Sequence, residues 1–132
     1  MVEVVAALII SEDTRRFLLC QRPAHKARGG LWEFVGGKVE PGETRAQAIV
    51  RECREELGIT IEPGEEMISV LHEYPDVTIR LTLIASRIVS GSITLLEHQD
   101  ARFVSAGELG QLALCPADQE IVEIIRDRLP GA

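Results

Sequence analysis

The stretch Gly37-Lys-Val-Glu-Pro-Gly-Glu43-Thr-Arg-Ala-Gln-Ala-Ile-Val-Arg51-Glu52-Cys-Arg-Glu55-Glu56-Leu-Gly58-Ile59 sets three glutamates within five residues of one segment. Its centre reads as a helix over about Thr44–Leu57, with Gly58 at the left-handed position that ends it. At about 100° per residue, Ala46, Ile49, Val50, Cys53 and Leu57 fall in one apolar arc, which predicts the buried face. Glu52, Glu55 and Glu56 make a separate stripe, shared one turn earlier by the small Ala48. Like charges at that spacing repel by a few tenths of a kcal/mol per pair. A solvated acidic face tolerates the repulsion; a divalent cation, which takes hard oxygen ligands, removes it. Glycines 36, 37 and 42 let the backbone approach a ligand closely or take a positive φ. Glu43 can reach Arg51 and so fix the loop to the helix.

Outward from this segment, Val2–Ile10 and Arg16–Gln21 are apolar runs parted by Ser11-Glu-Asp-Thr, which predicts two strands and a turn. Pro23–Gly30 reads as an exposed loop, and Trp32–Phe34 as a short extended piece stopped by Gly36-Gly37. Further strands are expected at Met67–Glu73, Val77–Val89 and Ala101–Ser105. A short helix follows at Ala106–Leu112, and a last one over Pro116–Leu129 with Pro near N1. The pattern predicts one α+β domain over 1–132, an α/β/α sandwich with a mixed sheet flanked by helices.

Length and composition narrow the function. A chain of 132 residues can bury a core without staples, and 45% apolar residues with net charge −7 favour a soluble globular protein. An acidic chain has no electrostatic reason to bind nucleic acid or an anionic membrane. If the substrate carries phosphates, positive charge must come from outside. Cys20, Cys53 and Cys115 form neither a CxxC pair nor an even set, which predicts reduced thiols and a cytoplasmic setting. The N-terminal apolar run stops at Ser11, too short to span a bilayer.

Gly37, Glu43, Arg51, Glu52, Cys53, Glu55, Glu56, Gly58 and Ile59 fill every fixed position of the pattern G-x5-E-x7-R-E-U-x-E-E-x-G-U. The stretch resembles the Nudix box of the Nudix hydrolases, and the similarity extends to the family's layout over nearly the whole chain. The resemblance implies a hydrolase, dependent on Mg²⁺ with Mn²⁺ as a substitute, that cleaves pyrophosphate linkages in a small nucleotide. It implies that Glu52 and Glu56 are the principal metal ligands, with Glu55 assisting and the Gly37 carbonyl completing the shell. The metal then neutralises the polyphosphate and acidifies the attacking water. Glu52 and Glu97 are the two candidates for general base, and Glu97 also for a metal ligand. Glu43 and Arg51 are implied as structural support.

Within the family, the short chain, Leu31-Trp-Glu-Phe-Val-Gly-Gly-Lys38 and Cys115-Pro-Ala-Asp-Gln resemble MutT-like 8-oxo-dGTP diphosphatases and bacterial CTP pyrophosphohydrolases. The expected activity is the MutT-like one, release of a nucleoside monophosphate and pyrophosphate with clearance of damaged nucleotides, and the CTP-type activity is the alternative. The resemblance assigns Arg22 to phosphate and Phe34 to the base pocket, with Gly36, Lys38 and Asp118 also at the substrate. Asp118, read as an ionised carboxylate, only accepts hydrogen bonds and should prefer a base edge rich in N–H. Its alternative is a helix cap. ADP-ribose hydrolysis and a non-catalytic nucleotide sensor are the rival functions, and either a monomer or a homodimer fits.

Overall fold

A computed structural model describes residues 1–131; Ala132, the last residue of the expected domain, lies outside the described residues. The chain runs β1 (Val2–Ile9), β2 (Phe17–Gln21), β3 (Trp32–Glu33), β4 (Gly36–Lys38), α1 (Arg45–Leu57), β5 (Thr60–Glu73), β6 (Thr78–Ser90), β7 (Asp100–Val104) and α2 (Pro116–Ile125). Short 3₁₀ segments cover Ala106–Gln111 and Arg126–Arg128.

The central strand explains the layering. Side chains alternate across a strand, and both faces of β1 are apolar because a helix covers each. Val5, Ala7 and Ile9 join one buried cluster with Ile49, Cys53 and Leu57 of α1. Ala6 and Leu8 join the other with Ile121, Val122 and Ile125 of α2. β1 pairs in parallel with β6 and antiparallel with β4, in a mixed sheet of order β4-β1-β6-β5. A second, antiparallel sheet has the order β3-β2-β7. The expected α+β sandwich is present, with its strands divided between two sheets.

The ends of α1 follow local chemistry. The Thr44 hydroxyl accepts from the Gln47 amide at 3.1 Å and the Gln47 side chain returns the bond to Thr44, a capping box. Gly58 closes the helix at φ 67°. The buried face differs from expectation: Ala48 is fully buried, whereas Ala46 lies exposed in a shallow groove beside Pro63. The buried face is therefore shifted toward Glu52 and Glu56, which line the cleft against the sheet. Two strand expectations also change. β5 begins at Thr60, seven residues ahead of the Met67 start expected from apolar alternation, because its first half is polar, holds Pro63 and Gly64, and pairs through bulges. Gly36–Lys38, expected to stop a strand, is itself one.

Candidate active site

Glu52 and Glu56, one turn apart on α1, face a cleft of about 460 Å³ bounded by β1, β4, the β2–β3 loop, the β5–β6 turn and the start of α2. The two glycines of β4 make this approach feasible for steric reasons, not conformational ones. A Cβ at Gly36 would overlap the Val5 carbonyl, and one at Gly37 would come within 2.5 Å of the Glu52 carboxylate. Only Gly42 of the loop takes a positive φ, 82°.

Arg51 organises this end. Its guanidinium donates to both oxygens of Glu43 at 2.7 and 3.0 Å, to Glu52 at 2.7 Å, to Glu55 at 3.1 Å and to the Lys38 carbonyl at 2.9 Å. The Glu43–Arg51 pair anticipated from sequence is thus in place, and it holds the carboxyl of Glu43 below its ordinary value. Glu55 differs from expectation: its side chain is 58% exposed, is turned onto Arg51 and does not line the cleft. Glu56 points inward, and its Oε2 is buried with no hydrogen-bond partner. Burial, then the neighbouring charges of Glu52, Glu33 and Glu97, push its carboxyl up to about 9. A carboxyl in that condition holds a proton at neutral pH when no cation is present.

The far end of the cleft is built from distant residues. One ligand atom each from Glu33, Cys115 and Asp118 lies within 4.8 Å of the others, a close grouping that Glu52, Glu55, Glu56 and Glu97 do not form among the described residues. Asp118 Oδ1 accepts from the Phe34 amide at 3.0 Å, so the residue is tied across to the strand side while it sits in the first turn of its own helix. Its carboxyl is raised well above the ordinary range, first by burial and then by the charge of Glu33. Burial thus works against the ionised acceptor expected from sequence, and a protonated Asp118 would both donate and accept. Burial also pushes the Cys115 thiol up to about 12, which keeps it protonated. Glu33 accepts from Arg22 at 3.1 Å, and His98 Nε2 lies 3.0 Å from its other oxygen. The start of α2 is held by Tyr74, whose hydroxyl accepts from the Ala117 amide at 2.9 Å.

The remaining expected residues line the cleft in different ways. Gly36, Lys38 and Arg22 border it directly. Phe34 borders it too, but its ring is buried and packs against Phe17 with centroids 6.3 Å apart, so it is also core. Glu97 reaches the cleft paired to Lys26, which holds its carboxyl below the ordinary value. Sequence reasoning does not single out Glu33, Lys26, Arg28, Tyr74, Asp76 or His98, all of which line the same space. Glu33 had a signal: it lies inside the quoted Leu31–Lys38 stretch, next to Phe34.

The orphaned Glu56 oxygen and the bare Gly37 backbone under Glu52 suit a hard divalent cation at the α1 end. Residues 5–123 match the NUDIX domain family, and the chain belongs to the Nudix hydrolases, which as a group depend on a divalent cation. It is 45% identical over 123 residues to the CTP pyrophosphohydrolase of Escherichia coli K12, covering 93% of this chain and 90% of that one. Identity to the 8-oxo-dGTP diphosphatase of the same organism is 30% over 118 residues, covering 89% and 92%. Among solved structures, the E. coli ORF135 protein superposes with TM-score 0.79 at 42% identity, covering 100% of this chain and 95% of that one. The MutT protein of Methanosarcina mazei gives TM-score 0.84 at 28% identity, covering 96% and 94%. Among the described residues, no helix is long and apolar enough to cross a membrane.

Proposed function

We propose that the chain is a Mg²⁺-dependent pyrophosphohydrolase of pyrimidine nucleoside triphosphates, CTP foremost, that releases the nucleoside monophosphate and pyrophosphate. The observation that carries this reading is the 45% identity to a CTP pyrophosphohydrolase over most of both chains, against 30% to the 8-oxo-dGTP enzyme of the same bacterium. It reverses the order expected from sequence, where the MutT-like activity stood first. The cleft supports both. A neutral Asp118 beside Glu33 offers a donor next to an acceptor, which matches cytosine N3 and N4 and equally guanine O6 and N1. Hydrolysis of 8-oxo-dGTP is therefore the second reading, favoured by the relatives that carry that name.

In this reading Glu52 and Glu56 hold the cation, with the Gly37 backbone beneath them. The bound ion supplies Lewis acidity to phosphoryl oxygens and a more acidic water. Glu56 gives up the proton that burial leaves on it, and Arg51 keeps Glu52 aimed into the cleft. Arg22 and Lys38 face the polyphosphate; Phe34 and Asp118 face the base. Glu97 can take a proton only once its pair with Lys26 opens, because that pair lowers its basicity. Glu55, held outward by Arg51, is left a remote role.

A panel of CTP, dCTP, 5-methyl-dCTP, 8-oxo-dGTP and ADP-ribose, assayed with Mg²⁺, tests the assignment. CTP or dCTP should give the highest kcat/KM, with pyrophosphate as the second product. Inorganic phosphate as the sole product, or ADP-ribose as the best substrate, would remove it.

A further inference from the structure

The cleft is lined by six carboxylates, Glu33, Glu52, Glu56, Asp76, Glu97 and Asp118, against four cationic side chains, Arg22, Lys26, Arg28 and Lys38. An anionic polyphosphate entering this space meets no excess of positive charge, so how each cation is held decides whether it is available. Three of the four project from the β2–β3 loop, and each is set against a carboxylate. Arg22 donates to Glu33 at 3.1 Å and to the Ala27 carbonyl at 2.9 Å, which ties it to its own loop. Arg28 donates to Asp76 at 2.9 Å while its guanidinium lies 4.0 Å from the centre of the Tyr74 ring. Lys26 is held differently. Its ammonium has Glu97 as its hydrogen-bond partner, and both side chains are partly exposed, 43% and 38%.

The loop that carries Lys26 is a firm base. The Arg22 amide donates to the Leu31 carbonyl and the Gly30 amide to the Arg22 carbonyl, both at 2.9 Å, and the Lys26 amide donates to Pro23 at 3.2 Å. What can move is the four-carbon stem and its point charge. A surface pair of this kind is worth at most about 1 kcal/mol, so a better partner on either side displaces it. On one side, Glu97 shares the cleft with Glu52 and Glu56, where a divalent cation fits; on the other, a nucleotide brings phosphate oxygens into reach of the ammonium.

We propose that Lys26 is an exchangeable counter-ion: it neutralises Glu97 in the empty cleft and passes to the polyphosphate when the acidic cluster acquires a divalent cation. Resting on the nucleotide-hydrolase reading above, this deepens it by coupling the two ligands through one side chain. Lys26 opposes the cation by occupying Glu97, and once displaced it favours the nucleotide. The coupling is reciprocal, since a nucleotide that draws Lys26 away must tighten cation binding by the same factor. The arginines of the same loop are not candidates, each being fixed by a second contact.

The test is calorimetric titration of the full chain with Mn²⁺, with and without saturating α,β-methylene-CTP, for wild type, Lys26→Met and Lys26→Arg. Nucleotide should tighten Mn²⁺ in wild type. Lys26→Met should bind Mn²⁺ alone about two- to fivefold more tightly, the range a lost surface pair allows, and lose at least about threefold of the nucleotide effect. Lys26→Arg should restore both. Mn²⁺ binding with the nucleotide effect unchanged in Lys26→Met, or weaker Mn²⁺ binding in that variant alone, would overturn the exchange and leave the hydrolase reading standing. A wild-type protein that binds neither Mn²⁺ nor the analogue would overturn both.

Discussion

The two ends of the cleft are both built around carboxyl groups, and they differ in what partners those groups. At the α1 end, Glu52 stays in company with Arg51, whose donors are divided among Glu43, Glu52, Glu55 and the Lys38 carbonyl. Glu56 beside it keeps an oxygen with no partner at all. At the α2 end no cation touches Asp118; burial suppresses its charge, and the Phe34 amide is its anchor. The first end pairs an arginine-held carboxylate with an unpartnered carboxyl, and the second ties its buried carboxyl to a backbone amide. In the proposed reading, chemistry falls to the α1 end and selection to the α2 end.

The largest expected effect attacks the first half of that contrast. Glu56→Gln keeps the shape and the neutral state that the cation-free protein favours, so its circular dichroism should match wild type. Its Mg²⁺-dependent turnover of CTP should fall at least about a hundredfold, the scale of losing acid–base and metal assistance together. An unchanged rate would detach the helix from the reaction.

A smaller effect probes the second half. If burial keeps Asp118 protonated, Asn is nearly its copy: the side-chain oxygen still accepts from Phe34 and an amide N–H replaces the acid proton. Asp118→Asn should hold kcat/KM for CTP within about tenfold of wild type. Asp118→Leu leaves the Phe34 amide unpaired, a loss of about 1–3 kcal/mol, and should lower kcat/KM by tens of fold, mainly through KM. Equal damage from both substitutions would show that the ionised carboxylate is the working form.

The same contrast explains what the sequence made legible. The α1 end lies in twenty-three consecutive residues, and its helix, its Gly58 stop and its Glu43–Arg51 pair follow from rules that act over three to eight positions. The α2 end joins positions 33, 98, 115 and 118, which meet only after β3 has paired with β2 and α2 has docked on the sheet. Cys115, Glu33 and His98 carry no periodic signal that announces a site. The ionisation of Asp118 was equally hidden, because burial, not residue type, decides it. β4 escaped for another reason: glycines have no side chains to alternate, and their value lies in letting Glu52 sit on bare backbone.

The smallest effect is on stability, and it tests the α1 end by pH. In cation-free protein the Glu56 carboxyl is pushed up to about 9, against 4.5 for the ordinary side chain. Between those values the folded chain binds a proton that the unfolded chain has released, so stability falls as pH rises. That contribution is fully present below about 4.5 and lost by about 9. The amide of the Glu56→Gln variant has no such proton to lose. In a chelating buffer, Glu56→Gln should melt with wild type near pH 5 and at least a few degrees above it near pH 8, about 1 kcal/mol or more for a domain of this size. Adding Mn²⁺ should reverse the order at about pH 8, because ligand binding stabilises only the protein that retains the carboxylate. A difference in melting temperature that stays flat across this range would mean that Glu56 is already ionised in the empty cleft, and the orphaned oxygen would lose its meaning as the mark of a cation site.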